Sequence, residues 1–269
     1  MLITASELAA ALDDVVLLDV RWQLGGPPGH GEYLKGHIPG AVFVDLDTEL
    51  AAHGAPTDGR HPLPSLAMLQ ASARRWGVRA DRPVVIYDGA GNLAAARAWW
   101  LLRWAGVPDV RLLDGALPAW EGPLDTDNVM PVPSDIELEG NALPTLALGD
   151  VAAFAESNVL LDARAGERYR GEVEPIDPKA GHIPGAESAP TTENLAEDGR
   201  FRSAEELRER FAALGADGSR PVGVYCGSGV TAAHEIAALA IAGVDAALYA
   251  GSWSQWSNHD DLPVATGAG

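Results

Sequence analysis

The chain has one cysteine, Cys226, and it opens the run Cys226-Gly227-Ser228-Gly229-Val230-Thr231. The run lies between an apolar strand pattern (VGVY, 222–225) and an alanine-rich helical pattern that begins AAHEIAALA. Small residues let the backbone curl into a tight cup whose amide N–H groups point toward one centre. The helix that follows adds its positive N-terminal end. A thiol at the first position of such a cup lies in a field that favours thiolate, the nucleophilic form, and the same field can hold an anionic sulfur adduct. Outside such a loop, a lone cysteine is more often a small buried apolar residue. Here the expectation is a nucleophile, with Gly227, Gly229, Val230 and Thr231 forming the amide-lined wall and Ser228 offering a hydroxyl.

Competing chemistries fit these residues less well. A phosphatase cup built as Cys-x5-Arg needs an arginine six residues after the cysteine to hold phosphate bidentately. That position is Ala232. Gly-x-Gly-x-x-Ala, a weak dinucleotide fingerprint, occurs twice (Gly89, Gly91, Ala94; Gly227, Gly229, Ala232). Asp114 lies at a workable distance from the first copy, but that reading explains neither Cys226 nor the repeats described next. His234-Glu235 starts a zincin-like pattern that fails at Ala238, and no Gly-x-Ser-x-Gly elbow occurs. No metal site is expected.

The elements that must position Cys226 occur twice. GHIPGA stands at 36–41 and again at 181–186. Each copy follows a strand pattern ending in aspartate, VVLLDVRW with Asp19 and NVLLDARA with Asp162. Downstream lie PVVIYDGAGNLAAA (83–96) and PVGVYCGSGVTAAH (221–234), then LLDGALPAW (112–120) and LYAGSWSQW (248–256). Four blocks in one order at nearly constant offset mark a duplicated domain. The expected division is 1–122, an acidic proline-containing linker at 123–143, and 144–269. In the first copy Asp88 holds the place of Cys226, which makes that half inactive and the second half catalytic.

Within each copy, short apolar runs (15–20, 84–87, 110–113) alternate with helical patterns (65–76, 92–105, 204–214). Capping boxes are read at Thr4–Glu7 and Ser203–Glu206. Strand–helix alternation with nearly continuous apolar strands implies α/β domains, each a mainly parallel sheet with helices on both faces. Ligands of such sheets gather where strands hand over to helices.

The 269 residues carry a formal net charge of −19, which argues against nucleic acid or an anionic membrane as a partner. One cysteine excludes an internal disulfide and a zinc site needing several thiolates. The N-terminus lacks a basic signal region, and no apolar run reaches the length of about 18 residues needed to span a bilayer. The expected location is cytoplasmic.

The paired GHIPGA blocks, the LLDAR strand and the CGSGVTA loop together resemble the two-domain rhodanese-type sulfurtransferases over about residues 6–257. The resemblance implies two tandem rhodanese-like domains and no cofactor. It also implies transfer of a sulfane sulfur from a small-molecule donor through a Cys226 persulfide to cyanide, a thiol or a thioredoxin-like acceptor. Gly227-Ser228-Gly229 matches the 3-mercaptopyruvate branch, whereas thiosulfate-preferring members tend to carry two cations after the cysteine. Arg168 matches the main substrate arginine, and Arg164 is a second candidate. A further arginine usual in that branch is replaced by Ile176, so thiosulfate stands as the alternative donor. Ser228 and His37 match two members of a Ser-His-Asp relay whose acid has no clear counterpart. A non-catalytic sulfur-binding scaffold is the remaining reading.

Overall fold

The computed structural model describes residues 1–268 and divides into two compact units. The first comprises 1–52, 63–143 and 197–201, and the second comprises 53–62, 144–196 and 202–269. Among the described residues, no helix is long and apolar enough to cross a membrane.

The first unit holds a parallel five-stranded sheet of β1 (Leu2–Ile3), β2 (Val16–Asp19), β3 (Val42–Phe43), β4 (Val84–Tyr87) and β5 (Val110–Leu113), ordered β1-β5-β4-β2-β3. The second holds a parallel four-stranded sheet of β6 (Val159–Asp162), β7 (Ala186–Ser188), β8 (Val222–Tyr225) and β9 (Ala246–Leu248), ordered β7-β6-β8-β9. Every residue of β4, β6 and β8 is buried, so both faces of each central strand are covered. This is the expected α/β architecture.

The central pairs share one register. Val16 lies opposite Val84 and Asp19 opposite Tyr87; in the second unit Val159 lies opposite Val222 and Asp162 opposite Tyr225. Each tyrosine closes its strand by accepting a backbone N–H at its hydroxyl, from Ile38 at 2.9 Å and from Ile183 at 3.2 Å. The next residue, Asp88 or Cys226, therefore begins its loop from the same height at the strand's carboxyl end.

Helix limits follow their caps. Ser65 caps Leu66–Arg75, and full capping boxes start Ala5–Ala10 at Thr4 and Ala204–Ala213 at Ser203. The segment read as a linker lies along the first unit. Asp125 bridges to His37, the Ser134 amide donates to the Arg74 carbonyl at 2.9 Å, and Ile136 and Leu138 are buried.

A short piece of the first repeat belongs to the second unit. Residues 53–62 pack there because Gly59, at φ +88°, brings the backbone against the Gly251 carbonyl, where a Cβ would meet the oxygen at 2.8 Å. Gln255 Nε2 then donates to the Thr57 carbonyl, and the Arg60 amide donates to Ser254 Oγ at 3.0 Å. Repeat boundaries and folding units are thus different divisions of this chain.

In the first unit the cup is filled by its own residue. Asp88 Oδ1 accepts the amides of Ala90 and Asn92 at 2.8 and 2.9 Å, and Oδ2 accepts those of Ala94 and Ala95 at 2.8 and 3.1 Å. Burial pushes this carboxyl above its ordinary value, and the four N–H groups oppose that shift. Asp88→Ala strands four backbone donors, three of them in buried bonds, and is expected to destabilise the first unit by about 3 kcal/mol. An unchanged urea midpoint would show that the carboxylate does not hold the loop.

Candidate active site

Cys226 leaves β8 and enters a loop pinned to the turn at 249–254. Its amide donates to Ser252 Oγ at 3.1 Å, and that hydroxyl donates to the Tyr249 carbonyl at 2.9 Å. The carbonyls of Cys226 and Gly227 accept the amides of Trp253 and Ser254 at 2.9 and 2.8 Å. Ser252 holds φ +55° without being glycine, as does Ala116 at φ +56° in the matching block of the first repeat. With so many fixed bonds around it, this strained residue is over-determined by its surroundings.

The loop turns back onto the sulfur at Gly229, whose amide donates to Cys226 Sγ at 3.1 Å. Gly229 sits at φ +77°, and a Cβ there would collide with the Ala250 carbonyl. Val230, buried, then leads into the helix Thr231–Ala242, so the first amides of a twelve-residue helix follow the cup directly. Cys226 itself is 2 % exposed. The residues expected to form the wall, Gly227, Gly229, Val230 and Thr231, are adjacent in one continuous turn.

Ser228 meets a histidine, but not the one expected. Its Oγ lies 2.7 Å from His61 Nδ1, and both residues are buried. His61 comes from the 53–62 segment of the same unit. His37 is used otherwise in the first unit: its Nδ1 bonds the Tyr33 carbonyl at 3.0 Å and its ring stacks on Tyr33 at 3.9 Å. His182 repeats this arrangement with Tyr169, at 2.8 and 3.7 Å. GHIPGA histidines are turn supports in both copies. His61 lies outside every repeated block, in a proline-rich stretch that follows the short 3-10 turn Pro56–Asp58. That irregularity was the available signal, because loops carry function more often than framework does.

The arginines divide into buried and available ones. Arg164 is buried: its Nε donates to Asp162 Oδ1 at 3.0 Å, its Nη2 to the Gly181 carbonyl at 2.7 Å, and its guanidinium lies 4.6 Å from the Trp253 ring centre. Burial works against its charge, yet Asp162, with Tyr225 and Glu174 adding to it, holds its pKa above the ordinary arginine value. These bonds commit Arg164 to the framework, which corrects its expected role in substrate binding. Arg170 pairs with exposed Glu172.

Arg168 is placed differently. Its Nη2 donates to Glu174 Oε1 at 2.7 Å and to Asp177 Oδ2 at 3.3 Å, and its Nη1 lies beside the cup, 3.4 Å from where a Gly227 Cβ would be. Glu174 also accepts the amides of Ile176 and Asp177, closing the turn in which Ile176 replaces the expected cation.

His234 and Glu235 belong to a buried polar network: Thr191 Oγ1 lies 2.7 Å from His234 Nδ1, and Asn194 donates to Glu235 at 2.7 Å. Trp253 and Trp256 lie in the hydrophobic core of the second unit.

The Rhodanese-like domain family matches residues 4–123 and 149–259. The chain belongs to the rhodanese-like family. A Mycobacterium tuberculosis relative described provisionally as the thiosulfate sulfurtransferase SseB is 49% identical over 99% of this chain and 97% of its own length. A Pseudomonas aeruginosa relative, described provisionally as a 3-mercaptopyruvate sulfurtransferase, is 47% identical over 99% and 98%. Among solved structures, the 3-mercaptopyruvate sulfurtransferase SseA of Escherichia coli superposes with a TM-score of 0.82 at 33% identity, covering 94% of this chain and 98% of SseA. These rhodanese-like relatives span both repeats of this chain.

Gly229→Ala forces an L side chain into a left-handed conformation and against the Ala250 carbonyl. The expected result is a stability loss of about 1–3 kcal/mol, with slower alkylation of Cys226 by iodoacetamide at neutral pH. Unchanged alkylation and an unchanged urea midpoint would show that this turn does not set the sulfur's environment.

Proposed function

We propose that this chain is a sulfurtransferase that takes sulfur from 3-mercaptopyruvate as a Cys226 persulfide. The observation that carries the reading is the Gly229 amide on Cys226 Sγ, in a cup that continues into a helix N-terminus. An N–H directed at the sulfur stabilises the negative charge that the persulfide carries there.

In the first half-reaction the Cys226 thiolate attacks the donor's sulfur, a sulfur–sulfur bond forms, and the donor's carbon–sulfur bond breaks. The electron pair goes to carbon as the pyruvate enolate. The proton of the donor thiol ends on that carbon, giving pyruvate and leaving Cys226–S–S⁻. Ser228 and His61 form the proton path to the enolate, taking the place assigned by resemblance to Ser228 and His37. In the second half-reaction, cyanide or a thiol attacks the outer sulfur and the Cys226 thiolate leaves. A thioredoxin-like protein fits the same acceptor role. Arg168 holds the donor's carboxylate.

Thiosulfate is a second reading, favoured by Ile176 in place of a cation and by the name of the mycobacterial relative. The thiolate then displaces sulfite, with no carbon to protonate. The first repeat, with Asp88, serves as a non-catalytic scaffold. A single thiol that must stay reduced suits a cytoplasmic setting.

Incubation with either donor is expected to add about 32 Da, one sulfur, to Cys226. Cys226→Ser should abolish both the adduct and turnover, and retained turnover would overturn the assignment. His61→Asn should lower kcat with mercaptopyruvate by about 100-fold and leave thiosulfate turnover much less affected. Equal losses with both donors would remove His61 from the proton path.

A further inference from the structure

We infer that Arg60 is a donor-binding residue, which with Arg168 forms a two-guanidinium clamp for the anionic end of the sulfur donor. The inference rests on the sulfurtransferase reading and adds to it the second cation that Ile176 does not supply.

Three observations converge on Arg60. Its backbone is fixed beside the site, with its amide donating to Ser254 Oγ at 3.0 Å and His61 following it in the chain. Its Nη2 would lie 3.4 Å from a Cβ on Gly227, the same distance as Arg168 Nη1, so two guanidinium groups border the residue after the nucleophile. Among the described residues its Nε is buried without a hydrogen-bond partner. A buried N–H donor without a partner is costly, and this one belongs to the guanidinium that borders Gly227.

Asp177 explains why two cations tolerate this closeness. Its Oδ1 accepts Arg60 Nη1 at 2.8 Å, while its Oδ2 accepts Arg168 Nη2 at 3.3 Å. Its side chain is 3% exposed, so it ties the two guanidiniums together from behind. Each arginine carries five donors in a rigid fork. Arg60 uses one side-chain donor on Asp177, and Arg168 directs Nε and Nη2 to Glu174 and Asp177. Nη2 and Nε of Arg60 and Nη1 of Arg168 are left to meet a ligand. A planar carboxylate or a sulfonate-like trio of oxygens matches such an edge, and a cationic or neutral donor does not.

The test is steady-state kinetics of Arg60→Gln and Arg60→Lys with mercaptopyruvate, together with inhibition by pyruvate, which carries the carboxylate without the sulfur. Arg60→Gln should raise the donor KM and the pyruvate inhibition constant together, each by about tenfold or more, with kcat changed much less. Arg60→Lys should recover part of both, since it restores the charge but not the fork. Unchanged constants in Arg60→Gln would overturn the clamp while leaving the sulfurtransferase reading in place. A fall in kcat and in thermal midpoint with KM unchanged would also overturn it, by showing Arg60 to be a structural tie to Asp177. Wild-type protein that forms no persulfide with either donor would overturn the underlying reading, and the clamp with it.

Discussion

The close approach of the 226–231 loop to the 249–254 turn is the constraint on which the site depends. Only glycine fits at 229, where the chain needs a left-handed turn and the Ala250 carbonyl leaves no room for a side chain. That fit is what brings the Gly229 amide back onto the cysteine sulfur. The amides of Trp253 and Ser254 then hold the Cys226 and Gly227 carbonyls, and the hydroxyl of strained Ser252 holds the Cys226 amide. Polarity at the sulfur is built from main chain, and no charged side chain of the loop takes part.

The duplicated architecture supplies an internal control. Both repeats end a buried parallel strand at a tyrosine and curl the next residues into a cup. In one, a carboxylate fills that cup with four N–H bonds and occupies the anion's place permanently. In the other, a thiol occupies the first position and the Gly229 N–H meets it. The cup is a property of the fold, and catalysis is a matter of which atom is placed in it. Asp88 turns an anion site into a structural staple, so replacing one residue would not recreate the second repeat's surroundings, which include Arg168 and Ser228.

Much of this was readable from residue order. Repeated blocks fix the strand positions, because an apolar run between turn signals has few alternatives once it occurs twice. The Cys226 loop was legible through its glycines, and the two serine/threonine capping boxes through their spacing to glutamate. What escaped the sequence depends on long-range placement. His37 looked like Ser228's partner because it stands in a repeated motif, yet its ring is taken by Tyr33. Arg164 and Arg168 look equivalent on one short segment, and only burial against Asp162 separates them. His61 and Arg60 are distant in sequence from Ser228, Ser254 and Asp177, which they bond, and their segment has no periodicity to announce its destination.

The passage of 53–62 into the second unit bears on how such a protein can be divided and inherited. A fragment encoding only the later repeat would carry the nucleophile but neither the imidazole at Ser228 nor the guanidinium at Asp177. Severing the chain between the repeats would therefore remove functional groups as well as a neighbour. On the sulfurtransferase reading proposed above, the first repeat lends ten residues, 53–62, to the unit that holds Cys226.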